Sequence, residues 1–132
     1  MYDEAENGQP LLSSSTDLRV TAFGRFMRKH RVDEIPNLIN VLKGEMSLVG
    51  PRPERQFFID QIVKKAPHYK RLLKVRPGIT SWGQVKYGYA SDVGQMIERL
   101  EFDLLYLDNM SLLIDLKIMI YTLLIIMRGK GV

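Results

Sequence analysis

Asp33-Glu34-Ile35-Pro36-Asn37-Leu38-Ile39-Asn40-Val41-Leu42-Lys43-Gly44 is the stretch on which the reading of this chain turns. Ile35, Leu38, Ile39 and Leu42 recur at helical spacing, which predicts a helix over about 33–43 with one buried face and a stop at Gly44. Asp33 is the natural N-cap. Pro36 falls in the first turn, where a missing N–H removes no intrahelical hydrogen bond. By itself the pair Asp33-Glu34 reads as a cap, because carboxylates at a helix start complement the helix dipole.

Upstream, Thr21 predicts the N-cap of a short basic helix in which Phe23, Phe26 and Met27 form an apolar stripe and Arg25, Arg28, Lys29 and Arg31 stay polar. Residues 1–16, with Asn7-Gly8-Gln9-Pro10 and Ser13-Ser14-Ser15, carry turn formers and no apolar period, so they read as a flexible linker or loop before a single domain over 17–132.

Downstream, Ser47 to Pro53 reads as a loop fixed by Gly50, Pro51 and Pro53, followed by a helix from about Glu54 to Lys65 that Pro67 ends. Arg76-Pro77-Gly78-Ile79-Thr80 predicts a tight turn, with a small strand or hairpin near 80–90 that includes Trp82 to Lys86. A helix capped by Ser91 or Asp92 places Met96, Leu100, Leu104 and Leu107 on one side and runs to Asn109. The last element, about Ser111 to Met127, is apolar nearly all round apart from Asp115 and Lys117. It is shorter than the roughly 20 apolar residues a spanning helix needs, so it is either a buried core helix or one lying against a bilayer surface. The expected class is mainly α with minor β (α+β), with short amphipathic helices around one core.

The chain has 132 residues, 45% of them apolar and 26% charged, which suits one globular core and no repeat architecture. No cysteine is present, which excludes disulfides, thiolate metal sites and cysteine nucleophiles. The net charge is +4 although Asp3, Glu4 and Glu6 lie in the linker, so the folded part is more basic still. Such a surface attracts nucleic acid, anionic lipid or a phosphorylated small substrate, and charge alone does not choose among them.

The surroundings of Asp33-Glu34 change its reading. Arg25, Arg28, Lys29 and Arg31 precede it closely, and Arg52 sits between Pro51 and Pro53. Cations converging on two carboxylates suit phosphate chemistry. The pair can hold Mg2+ while arginines fork onto phosphate oxygens, or one carboxylate can attack phosphorus itself. Flanking prolines restrict the backbone of Arg52, so its guanidinium loses less entropy on engaging a ligand. Arg76 reads first as part of a structural turn. His30 and His68 lack partners at ligand spacing and read as surface residues, and Trp82, Tyr87 and Tyr89 read as packing or as a stacking platform.

Asp33-Glu34-Ile35-Pro36, Asn40-Val41-Leu42-Lys43-Gly44-Glu45-Met46-Ser47-Leu48-Val49-Gly50-Pro51-Arg52-Pro53, Arg76-Pro77-Gly78-Ile79-Thr80, Trp82-Gly83-Gln84-Val85, Glu101-Phe102-Asp103 with Tyr106, and Asp115-Leu116-Lys117 together resemble the bacterial sugar transferase family, the monotopic polyprenyl-phosphate phosphoglycosyl transferases. The resemblance covers about residues 16–131. It implies transfer of a sugar-1-phosphate from a nucleotide diphosphate sugar, usually UDP-linked, to undecaprenyl phosphate at the cytoplasmic face of the bacterial inner membrane. It further implies Asp33 as nucleophile, Glu34 as its assistant with Mg2+ or the acceptor phosphate, and Arg28 and Arg52 as phosphate ligands. Arg76 and Gln84 follow as substrate contacts, and the apolar C-terminal helix would rest at the membrane interface. Homo-oligomerisation is left open, and nucleic acid is not among the implied partners.

Two departures accompany the resemblance. The family's re-entrant membrane helix and the Lys-Phe-Arg type motif after it would precede Met1, so the chain reads as an N-terminally truncated, soluble or peripheral portion that keeps the site and loses turnover. Many members read Asn-Gly-Arg where this chain has Lys86-Tyr87-Gly88-Tyr89, which sets its sugar and nucleotide contacts apart. Two other readings remain at this stage. A basic module binding anionic lipid or nucleic acid explains only the charge, and a metal-dependent nucleotide-sugar hydrolase keeps the dyad but lets water attack.

Overall fold

The computed structural model describes residues 20–128, so the expectations for residues 1–16 and for the start of the domain near Asp17 lie outside the described residues. Helix α1 spans Ala22–Lys29, and the Thr21 hydroxyl accepts from Gly24 N at 3.0 Å as its N-cap. A 3-10 turn, Val32–Glu34, leads to α2, Asn37–Leu42. Strand β1, Ser47–Val49, precedes α3, Gln56–Lys65, and a 3-10 segment over Pro67–Lys74. Strand β2 is Gly78–Thr80, α4 is Trp82–Lys86, α5 is Val93–Asp108 and α6 is Leu112–Met127.

The expected class is met: helices dominate around a two-stranded sheet. The sheet differs in place and hand from the expected one. β1 and β2 pair in parallel, Ser47 opposite Gly78 and Val49 opposite Thr80, with α3 and the 3-10 segment as the crossover. Trp82 to Lys86 is helical rather than extended, because the Ser81 hydroxyl accepts from Gln84 N at 3.0 Å and starts a helix at once.

The main core joins α3, the 3-10 segment and α5: Phe58, Ile59 and Ile62 meet Tyr69, Leu72, Met96, Leu100 and Leu104. Each such buried side chain contributes about 1.5–3 kcal/mol from apolar area alone. A smaller cluster of Val49, Tyr106 and Ile118, with Trp82 and Val85 against it, ties the sheet to α4, α5 and α6. Two polar contacts anchor α6 there: the Tyr106 hydroxyl donates to Asp115 at 2.7 Å, and the Thr80 and Thr122 hydroxyls meet at 2.7 Å.

The expected helix over 33–43 is broken, and Asp33 does not cap it. Asp33 lies inside the 3-10 turn, while Pro36 is the N-cap of α2 with no side-chain hydrogen bond. Leu38 N bonds Ile35 O and Ile39 N bonds Pro36 O, so the chain is wound tightly where a regular α-turn was expected. Nor are Ile35, Leu38, Ile39 and Leu42 buried: they are 56%, 45%, 57% and 88% exposed. The apolar period was real, but α2 carries no buried residue and the core closes without it. Ile118 alone is buried on α6, so the reading of the last element as a buried core helix fails for the same reason. Among the described residues, no helix is long and apolar enough to cross a membrane.

Candidate active site

The end of β1 delivers Arg52 to the dyad. Gly50 N donates to Thr80 O at 3.0 Å, and Gly78 N donates to Pro51 O at 3.0 Å, so the Pro-Arg-Pro loop is stitched to the Arg-Pro-Gly turn along the sheet edge. From this fixed backbone Arg52 Nη1 reaches Glu34 Oε1 at 3.5 Å. The other carboxylate oxygen of Glu34 accepts from Asn37 Nδ2 at 2.6 Å. Glu34 is therefore held at both oxygens. Asp33 is exposed, and no hydrogen bond or ion pair to another described residue restrains its carboxylate.

Arg31 stands immediately before this turn. Burial lowers the pKa of its guanidinium, the nearby Arg52 cation lowers it further, and Glu34 and Asp33 act in the opposite sense. Two guanidinium groups thus approach the dyad, Arg52 at Glu34 and Arg31 within the field of both carboxylates. A cleft of about 220 Å3 opens beside them, lined by Arg31, Arg52, Gln84, Tyr87 and Tyr89 among others. Among the described residues, two buried side-chain polar atoms have no hydrogen-bond partner, Nη1 of Arg31 and Oε1 of Gln84, and both residues line this cleft. Buried groups left so are costly, and each invites a ligand atom of opposite hydrogen-bonding character.

A polar layer supports the floor of the cleft. Arg99, itself a lining residue and buried, pairs with Glu54, and Gly83 N donates to Asp103 Oδ1 at 2.8 Å. Burial pushes the Asp103 carboxyl above its usual range, against the lowering effects of the Gly83 N–H, Arg99 and Ser81. At the rim, the Tyr87 hydroxyl donates to Glu98 at 2.7 Å, which raises the phenol pKa.

Other sequence candidates stand apart. Arg28 occupies the last turn of α1, half-buried, and Arg76 is exposed near Gly44 at the end of α2; neither lines the cleft. The His30 ring packs on Phe26 with centroids 4.8 Å apart, and His68 faces Glu101 at 3.8 Å. Trp82 lies beneath Lys86, whose Nζ is 4.8 Å from the ring centroid, so its role is packing. Tyr87 and Tyr89 do line the cleft. Of the four cations that the sequence sets just ahead of the dyad, Arg31 is the one that lines the cleft.

The donor set suits a small hard cation. Among the described residues, no group of three or more His, Cys, Asp or Glu could hold an ion by itself. Asp33 and Glu34 are consecutive carboxylates in the 3-10 turn, and Mg2+ characteristically takes one or two carboxylates and completes its shell with substrate phosphates and water. These two carboxylates are the residues that could contribute to a site of that kind, shared with a substrate.

The sequence profile described as bacterial sugar transferase matches residues 1–129, which includes the dyad, the Pro-Arg-Pro loop and the cleft. The chain belongs to the bacterial sugar transferase family. Similar family proteins include a UDP-N-acetylgalactosamine-undecaprenyl-phosphate N-acetylgalactosaminephosphotransferase of Aeromonas hydrophila, 42% identical over 99% of this chain and 31% of that protein. A UDP-glucose:undecaprenyl-phosphate glucose-1-phosphate transferase of Xanthomonas campestris pv. campestris is 37% identical over 89% of this chain and 25% of its own length. The uncharacterized sugar transferase EpsL of Bacillus subtilis is 36% identical over 100% of this chain and 61% of its own length. This bacterial sugar transferase chain therefore spans only part of each relative.

Proposed function

We propose that this chain is the catalytic portion of an enzyme that moves a sugar-1-phosphate from a UDP-linked sugar to undecaprenyl phosphate, the first step of a surface glycan, with Asp33 as the nucleophile. The observation that carries the reading is the contrast within the dyad: Glu34 is engaged by Arg52 and Asn37, while the adjacent Asp33 carboxylate is exposed and unrestrained by other described residues. The names of the relatives supply the donor and acceptor classes.

In the first step an Asp33 oxygen attacks the phosphorus bearing the sugar. A P–O bond to Asp33 forms, the P–O bond to the uridine monophosphate group breaks, and that group leaves with the bonding pair. In the second step an oxygen of undecaprenyl phosphate attacks the same phosphorus and the Asp33–phosphorus bond breaks. The carboxylate is restored and a lipid-linked diphosphate sugar is released. Arg52 neutralises phosphate charge, Glu34 orients the reacting groups, and Gln84, which lines the cleft, contacts the donor. Asp33 and Glu34 would hold Mg2+, whose positive charge would offset that of the phosphates. The apolar residues exposed on α6 support a reading in which the site works against a bilayer surface, on the cytoplasmic side, with the lipid phosphate within its reach.

The test is intact mass of the membrane-complete enzyme incubated with UDP-sugar and Mg2+ without acceptor. A sugar-phosphate adduct is expected on the parent and absent from Asp33→Asn. Turnover by Asp33→Asn with no adduct on the parent would overturn the assignment.

A further inference from the structure

Arg31 occupies a backbone position that suits glycine. It follows His30, the C-cap of α1, and adopts φ 53 and ψ 28 in the left-handed region, the one non-glycine residue with positive φ among those described. Helices end in this conformation routinely, but with Gly, or less often Asn, at the left-handed residue. A long side chain there is strained, and such strain persists where the side chain serves a purpose the backbone does not. Here the side chain lines the cleft, stands near the like charge of Arg52, and keeps Nη1 buried without a hydrogen-bond partner. The like charge and the unpaired Nη1 each cost stability in the protein alone. An anion between the two guanidinium groups would offset both at once, supplying an acceptor to Nη1 and negative charge to both cations.

The geometry points to Arg31 as a phosphate-binding residue that grips the diphosphate of the nucleotide-sugar donor together with Arg52, retained at a left-handed position for that contact. The inference rests on the donor reading above and extends it to a residue to which the resemblance gave no role. The cleft supplies what the rest of a nucleoside diphosphate needs beside the phosphates: the unpaired Gln84 Oε1 as an acceptor for a donor N–H or O–H, and the rings of Tyr87 and Tyr89.

The test is calorimetric titration of the purified chain with UDP in Mg2+ at fixed ionic strength, with thermal unfolding of each variant recorded without ligand. Arg31→Gly relieves the backbone strain, so it is expected to melt no lower than the parent while binding UDP about tenfold or more weakly, the loss of a charged hydrogen bond. Arg31→Lys, which keeps the charge without the fork, is expected to fall between them. UDP affinity within twofold of the parent in both variants, with Arg52→Gln weakened, overturns the inference and leaves the donor reading standing. Absence of UDP binding by the parent overturns both. If Arg31→Gly melts markedly lower, Arg31→Lys decides: parental affinity there rejects a fork-to-phosphate contact.

Discussion

Gly50 and Gly78 touch through their backbones: a Cβ built on Gly78 would lie 2.1 Å from Gly50 N and 2.7 Å from Gly50 Cα. The contact lets the loop carrying Arg52 lie against the turn that follows Arg76, and the two bonds Gly50 N to Thr80 O and Gly78 N to Pro51 O depend on it. No flexible side chain is available to yield. Gly78→Ala is therefore expected to cost about 3 kcal/mol or more, in the range reserved for severe backbone or overpacking defects. Urea unfolding measures it, and a cost below about 1 kcal/mol would show that the strands can part without penalty.

The same loop predicts a separation of stability from binding at Arg52. Its ion pair with Glu34 is 3.5 Å long, with side-chain exposures of 33% and 22%, which is worth at most about 1 kcal/mol. Arg52→Ala should thus leave the unfolding midpoint nearly unchanged while weakening UDP about tenfold or more, because a charged hydrogen bond to phosphate is lost. A variant that lost stability in step with affinity would instead mark Arg52 as structural.

Asp103 gives a pH dependence of defined sign. Burial raises its pKa in the fold above the ordinary value of 3.8. Folding therefore favours the protonated acid: the contribution is fully present below the unfolded pKa and is lost as pH rises through the higher folded pKa, by about 1.4 kcal/mol for each unit of elevation. Asp103→Asn keeps an acceptor for Gly83 N–H and does not titrate. The stability of the parent minus that of Asp103→Asn should fall as pH is raised from about 3.5 to 7. A difference that stays flat or grows across that window contradicts the raised pKa.

The sequence revealed those elements whose signals are local. The hydroxyl of Thr21 and the carboxylate of Asp92 cap α1 and α5 as their positions predicted, and the period of Met96, Leu100 and Leu104 marks the face that is buried. What escaped it is set by contacts distant along the chain. Ser47 and Gly78 pair across a crossover, so two stretches that read as a loop and a turn become a parallel sheet. The period of Ile35, Leu38, Ile39 and Leu42 reports amphipathicity, but not whether protein or something else covers the apolar face. At the site, the approach of Arg52 to Glu34 was anticipated from charge placement. The position of Arg31 was not, because a left-handed residue after α1 has no signature when glycine is replaced by arginine.

Helix α6 yields the last prediction. Leu112, Leu113, Leu116, Leu123 and Met127 are 87%, 80%, 51%, 60% and 82% exposed, while Ile118 is fully buried and Thr122 holds the inner side through Thr80. Leucines exposed to this degree add little to folding, so Leu113→Gln with Leu116→Gln should shift stability by no more than about 0.5 kcal/mol each. In a bilayer interface the same side chains would leave water, a gain of about 1.5–3 kcal/mol for each one fully buried. Sedimentation with vesicles containing anionic phospholipid should accordingly show binding by the parent and a loss of about tenfold or more in the double variant. The basic residues of α1 add a salt-sensitive part to this binding, whereas the leucine part persists at high salt. Equal vesicle binding by parent and double variant would assign the membrane contact to charge alone and remove α6 from it.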